Sequence, residues 1–332
     1  MHAAKISKPR PAPGADDGVM DANLAAVADT ALLVAAIRAH ETTRDDRLFA
    51  DPFAARLAGD RGRELLAGAL AATGESATAQ IVVRTRFWDD ALLEAAQQIS
   101  QVVILAAGMD ARAYRLAWPD GTVVYELDQP EVLAAKDGVL AGERPACRRV
   151  AVGVDLAQDW PAALRRAGLD PSAPAVWLIE GLLQYLDEAA VTALFDRVDA
   201  LSARGSVLLY DVVGKALLES EFMAPVLESM ARSGAPWRFG TDDPGGLCER
   251  LGWSATVTDV AEPGNRYQRW YAPRSRWTSR GRRAVISCRR PSRPWATRPG
   301  SARACGRRGT TTACPATTSA TCAAAAASHA GR

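Results

Sequence analysis

Two hydrophobic patterns divide the chain. Residues 22–40 (ANLAAVADTALLVAAIRAH) carry Ala and Leu at helical spacing without a breaker, and Asp51-Pro52 opens a second helix with proline in its first turn. Residues 76–99 read as one long helix, so three or four helices precede the first strand. From residue 101 the apolar residues become continuous. The segments 101–108 (QVVILAAG), 122–128 (TVVYELD), 148–154 (RRVAVGV), 175–182 (AVWLIEGL) and 206–213 (SVLLYDVV) predict strands buried on both faces, and 254–260 (SATVTDV) predicts a sixth. Helical stretches at 129–141, 159–167 and 187–203 lie between them. Strands alternating with helices predict an α/β fold with a doubly wound, mostly parallel sheet. No internal repeat interrupts the pattern.

Composition changes this picture at the two ends. The net charge of +2 conceals a division: residues 271–332 hold 13 Arg and no Lys, Asp or Glu, leaving 27 basic and 38 acidic residues before them. We therefore divide the chain into a polar, Pro-rich disordered leader (1–20), an N-terminal helical cap (21–99), an α/β domain (100–270) and an aberrant tail (271–332). The tail is basic, but it has neither helical periodicity nor interleaved aromatic residues, so no nucleic-acid partner is expected. No apolar run reaches the roughly 18 residues of a membrane span. The leader lacks the apolar centre of a signal peptide, which points to the cytoplasm. Cys147 and Cys248 precede the tail and Cys288, Cys305, Cys314 and Cys322 lie in it, without a C-x-x-C pair and with His329 as the tail's one histidine. This pattern predicts no metal site and incidental thiols in a reduced protein.

In a doubly wound sheet, ligands bind beyond the carboxyl ends of the strands. The first strand ends in AAGMDAR, where Gly108 lets backbone approach a ligand closely. The second ends in Glu126-Leu-Asp128, where a carboxylate can accept from both hydroxyls of a ribose; the third in Asp155-Leu156, suited to an adenine amino group and ring; the fourth in Glu180-Gly181. Singly, each has a plainer reading as a helix cap or turn. A nicotinamide dinucleotide site would also place an acidic residue where Asp128 stands relative to Gly108. That site needs G-x-G-x-x-G so that pyrophosphate can sit on a helix N-terminus. Here the loop has one glycine, and Asp110 stands at the phosphate position, which favours a cofactor without phosphate and disfavours an oxidoreductase.

The segments VADTALLVAAIRAHETTRDDRLFADPFA, RTRFWDD, VVILAAGMDARAYRL, VYELDQP, VDL and IEGLLQYL, in this order, resemble the leucine carboxyl methyltransferase-like family. More narrowly, they resemble its bacterial branch of S-adenosyl-L-methionine-dependent methyltransferases, abundant in mycobacteria and related actinomycetes. The resemblance covers roughly residues 20–270. It implies a Rossmann-like class I methyltransferase fold with a seven-stranded sheet and the N-terminal helices as a lid. It also implies S-adenosyl-L-methionine as cofactor and O-methylation of a carboxylate or hydroxyl on a small molecule. Arg84 would hold the methionine carboxylate and Gly108 would lie under the methionine part. Asp128 would bind the ribose, Asp155 and Leu156 would frame the adenine, and Glu180 would face the positive sulfonium and amino groups. Without the resemblance, Arg84 reads as a helix-surface ion pair with Asp89 or Asp90. Tyr185 faces the acceptor or is a packed aromatic.

The family's chain should finish with a strand after residue 270, and no such phrase stands there. If codons across Trp277 to Pro291 are read from the third base of the existing ones, the genetic code permits the expected ending. A frameshift near residues 268–277 is therefore expected, and with it an inactive or misfolded product as the alternative to an enzyme. The last strand would then be lost, unless Ala284 to Cys288 (AVISC) fills its place, and the rest of the tail would be disordered.

Overall fold

In the computed structural model the apolar runs pair side by side. It describes residues 15–221, 223–270 and 283–291, all within one compact unit that spans residues 1–295. Three helices come first: α1 (Ala15–Thr42), α2 (Ala54–Thr73) and α3 (Ser76–Ala96). Then follow β1 (Gln101–Leu105), α4 (Arg112–Arg115), β2 (Val123–Asp128), α5 (Pro130–Val139), β3 (Arg148–Gly153), α6 (Trp160–Arg166) and β4 (Ala175–Ile179). A 3-10 turn (Leu183–Tyr185) leads to α7 (Glu188–Ala200) and β5 (Val207–Val213). Short helices α8 (Lys215–Leu218), α9 (Ala224–Arg232) and α10 (Gly246–Glu249) precede β6 (Ser254–Asp259), α11 (Ala261–Arg266) and β7 (Arg283–Arg289).

The strand order is β3-β2-β1-β4-β5-β7-β6. β1 to β5 are mutually parallel, and β7 runs antiparallel to both β5 and β6. Every residue of β1, β4 and β5 is buried, as two-sided packing demands of central strands. Alternation along the strands sorts the core. Val103, Leu105, Trp177 and Ile179 meet Trp160 of α6 and Phe195 of α7 on one face. Val102, Ile104, Val176 and Leu178 meet Trp88 and Leu92 of α3 on the other. Fully burying side chains of this size contributes about 1.5–3 kcal/mol each, so this central slab fixes the strand ends that carry the site.

Of the two outcomes expected for the seventh strand, loss or replacement by the AVISC segment, the second holds. Arg283–Arg289 occupies the place between β5 and β6, in register from Val207 opposite Arg289 to Val213 opposite Arg283. The reason is local: Val285 and Ile286 are fully buried, so even a short apolar alternation suffices where two strands need backbone partners. Residues 283–291 are therefore ordered, as the AVISC alternative requires, while 271–282 and 292–332 lie outside the described residues. Helix α1 begins at Ala15, inside the segment expected to be a disordered leader; residues 1–14 lie outside the described residues. The thiols are not all incidental either, because Cys248 and Cys288 are joined as a disulfide across 40 residues. Among the described residues no helix is long and apolar enough to cross a membrane.

Candidate active site

The turn after β1 is built for close backbone approach. Ala106 and Gly108 both take left-handed conformations, with φ of 53° and 47°. For alanine this costs on the order of 1 kcal/mol, and it is tolerated because both neighbours are fixed in the sheet edge. A Cβ on Gly108 would stand 3.3 Å from the Cβ of Ala31 on α1, so the first helix lies directly against this turn.

Asp128, the last residue of β2, holds the turn. Its Oδ2 accepts from the Gly108 N–H at 2.6 Å and its Oδ1 accepts from the Gln129 N–H at 2.7 Å. Burial raises its pKa above the ordinary carboxylate value, with the two amides acting in the opposite sense. An ionised carboxylate offers about four acceptor positions, so further donors can still be taken. Glu126, two residues earlier on the same face, is fully buried and paired with Lys136 and Arg149, both at 2.7 Å. Of the two carboxylates in this strand, Glu126 is committed to the fold and Asp128 reaches the edge.

At the end of β3, Asp155 is half-buried and its Oδ1 accepts from Ala157 N at 2.8 Å. Leu156 is half-buried against the core, and its carbonyl accepts from Arg197 at 3.0 Å. Both thus follow Asp128 along the carboxyl edge of the sheet.

The end of β4 is different in kind. Glu180 accepts from Arg84 Nε of α3 at 2.8 Å and from Arg112 Nη1 of α4 at 2.7 Å. Gly181 turns with φ of 68°, and a Cβ there would stand 3.4 Å from the Arg84 guanidinium. Its N–H donates to Asp211 Oδ1 of β5 at 2.6 Å, while Asp211 Oδ2 accepts from Arg84 at 3.1 Å and from Arg283 of β7 at 2.5 Å. In the other direction Arg112 Nε reaches Asp89 at 2.7 Å, and Asp89 also accepts from Arg115 at 2.6 Å. Arg115 lies 3.6 Å from Asp51, an ion pair longer than a hydrogen bond, and Asp51 accepts from Arg38 Nε of α1 at 2.9 Å. Asp110 branches from Arg112.

The result is a chain of alternating charge, Arg38–Asp51–Arg115–Asp89–Arg112–Glu180–Arg84–Asp211–Arg283, that runs from the first helix to the last strand. With Asp110 it balances five guanidinium groups against five carboxylates, and no side chain in it is more than 13% exposed. Burial disfavours the charged forms of Arg84, Arg112, Asp110, Asp211 and Arg283, and in all but the last the neighbours prevail. Asp211 and Glu180 hold Arg84 above its ordinary pKa. Asp110, Glu180 and Asp89 hold Arg112 well above its own. Arg112, Arg38 and Lys136 bring Asp110 down to about 2. For Arg283 burial prevails and its pKa is lowered, although Asp211 acts against the shift.

Arg84 is therefore no surface ion pair with Asp89 or Asp90. Asp90 pairs with Arg86 instead, and Asp89 with Arg112 and Arg115. Sequence reasoning missed Asp89, Arg112, Arg115 and Asp211 as members of this region. Asp211 had left a signal, a lone carboxylate within the otherwise apolar VLLYDVV of β5. Tyr185 is half-buried in the 3-10 turn. Among the described residues no group of His, Cys, Asp and Glu could hold a metal ion.

The arrangement suits a ligand that is neutral and hydroxyl-rich at one end and zwitterionic at the other. Asp128 can accept from hydroxyl groups, and a balanced ion chain can take in a carboxylate together with an ammonium without a net change in charge. The leucine carboxyl methyltransferase family model matches residues 31–199. A candidate S-adenosyl-L-methionine-dependent methyltransferase of Mycobacterium tuberculosis is 48% identical over 224 residues, covering 62% of this chain and 71% of that one. One of Mycobacteroides abscessus is 41% identical over 262 residues, covering 70% of this chain and 86% of that one. The fold is shared with a solved protein from Streptomyces avermitilis, of a family of unknown function, at a TM-score of 0.53 and 16% identity over 77% of this chain and 97% of that one. A solved candidate methyltransferase from Thermobifida fusca gives a TM-score of 0.51 at 17% identity, covering 76% of this chain and 96% of that one. The match to the family model extends over half of the sequence and includes Arg84, Gly108, Asp128, Asp155 and Glu180, and on that ground the chain belongs to the leucine carboxyl methyltransferase family.

Proposed function

We propose that this methyltransferase moves the methyl group of S-adenosyl-L-methionine to an oxygen, carboxylate or hydroxyl, of a small-molecule acceptor. The observation that carries the reading is the convergence, at the carboxyl edge of one sheet, of the Gly108–Asp128 contact and the Arg84–Glu180 pair. Asp128 accepts from the ribose hydroxyls, and Asp155 with Leu156 frames the adenine. Gly108 lies beneath the methionine part, Arg84 takes its carboxylate, and Glu180 answers its ammonium and sulfonium charge. These assignments fit the cofactor because Asp128 is a carboxylate short of donors in a buried place, and because the ion chain has no excess charge to repel a zwitterion.

When bound, the cofactor supplies a methyl group already activated by its sulfonium, so no metal or covalent nucleophile is required of the protein. The protein's share is to fix the donor and acceptor in line and to exclude water. We assign the exclusion of water to the N-terminal helices as a lid, since α1 packs on the Gly108 turn through Ala31. Calorimetric titration of the purified chain with S-adenosylhomocysteine tests the reading, with Asp128→Ala as control. Saturable binding that disappears in the variant is expected. A folded wild-type chain that binds nothing would remove the cofactor assignment.

A further inference from the structure

We infer that Asp211 is a positioning residue for the amino-acid end of the cofactor, an inference that rests on the cofactor reading above. Asp211 sits in the middle of β5 with its side chain wholly buried and apolar residues on both sides in sequence. A carboxylate there is costly unless its charge is used, and an apolar residue would serve the core better. Its partners explain its presence. Oδ1 fixes the N–H of Gly181, the residue that follows Glu180, and Oδ2 takes one nitrogen of Arg84. One carboxylate thus sets both sides of the Arg84–Glu180 pair. It fixes the backbone on which Glu180 stands, at a left-handed turn that brings Gly181 against the guanidinium, and it fixes the rotation of that guanidinium. Arg283 holds Asp211 from the far side at 2.5 Å and lies over the ring of Trp237 at 5.4 Å, so the last strand takes part in placing Arg84. Asp211 touches no ligand itself; it acts through Arg84 and Gly181.

A purely structural carboxylate would affect all ligands alike, whereas a positioning one affects only the part of the ligand that Arg84 and Glu180 read. The probes are S-adenosylhomocysteine and 5′-methylthioadenosine, which keeps the nucleoside and sulfur and lacks the amino acid. Asp211→Asn in the full chain leaves Gly181 an acceptor but removes the charge between two arginines. Calorimetry should show S-adenosylhomocysteine weakened by about tenfold while 5′-methylthioadenosine changes by less than about twofold. Equal weakening of both, or no change in either, overturns the assignment. If Asp211→Asn does not melt cooperatively, the double variant Asp211→Asn with Arg283→Gln removes the unpaired cation, and the same two outcomes decide. A wild-type chain that binds no S-adenosylhomocysteine overturns the cofactor reading and the inference together, and the wild-type titration alone identifies that case.

Discussion

The two ends of the candidate site are made in opposite ways. At the end we assign to the nucleoside, one carboxylate is held by two backbone amides, one of them from the residue next to it in sequence. At the end we assign to the amino acid, side chains from α1, the α1–α2 loop, α3, α4, the turn after β4, β5 and β7 form a buried chain of alternating charge. The difference teaches how charge is matched to task. Neutral hydroxyls need one acceptor fixed by the strand end, whereas a zwitterion needs charges of both signs, and buried charges stay ionised only when each has a partner.

The comparison can be broken most forcefully at Asp89, which serves two arginines of the chain. Asp89→Ala should cost about 3–5 kcal/mol of unfolding free energy, because two guanidinium groups lose a shared partner in a buried place. Urea denaturation measures this, and a cost below about 1 kcal/mol would mean that water replaces the missing ion. At the other end, Asp128→Ala should weaken S-adenosylhomocysteine and 5′-methylthioadenosine equally, on the order of 100-fold, as two charge-assisted hydrogen bonds are lost. Unequal weakening in a calorimetric comparison would show that the two ends are not separate.

Acid should erode the ion chain. Asp110 has its pKa brought from 3.8 to about 2, so its contribution is fully present above pH 3.8 and is lost as the pH falls toward 2. A loss of up to about 2 kcal/mol is expected from a shift of that size. Unfolding midpoints between pH 5 and 2.5 would reveal it, and Asp110→Asn should flatten the profile over the same range. The smallest effect belongs to the glycine turn. Gly108→Ala should cost about 1 kcal/mol through its left-handed φ, and the contact with Ala31 should add to it. If that contact matters, Ala31→Gly in the same chain recovers part of the lost melting temperature.

Legibility followed the same division. The strands could be read because burial on both faces leaves continuous apolar runs, and the placement of Gly108, Asp128 and Asp155 at the carboxyl edge because a strand end is a local address. The resemblance drew attention to Arg84, but its partners could not be read. Glu180 and Asp211 lie 96 and 127 residues further on, and helix spacing offered the nearer Asp89 and Asp90. The bond from Cys248 to Cys288 was hidden for the same reason. β7 was half-visible: AVISC carries strand character, but the absence of the family's closing phrase argued for a lost strand, and the demand of two strands for partners outweighed it.

The position of β7 also sets an order in time. β6 pairs with β7 and with no other strand among the described residues, yet it is synthesised first. Until residues 283–289 leave the ribosome, the growing chain holds β6 without a neighbour and β5 with an open, apolar edge, an invitation to pair with another molecule. The sheet can therefore be completed only once β7 has emerged, and the pairing that covers those open edges is also the one that brings Arg283 to Asp211.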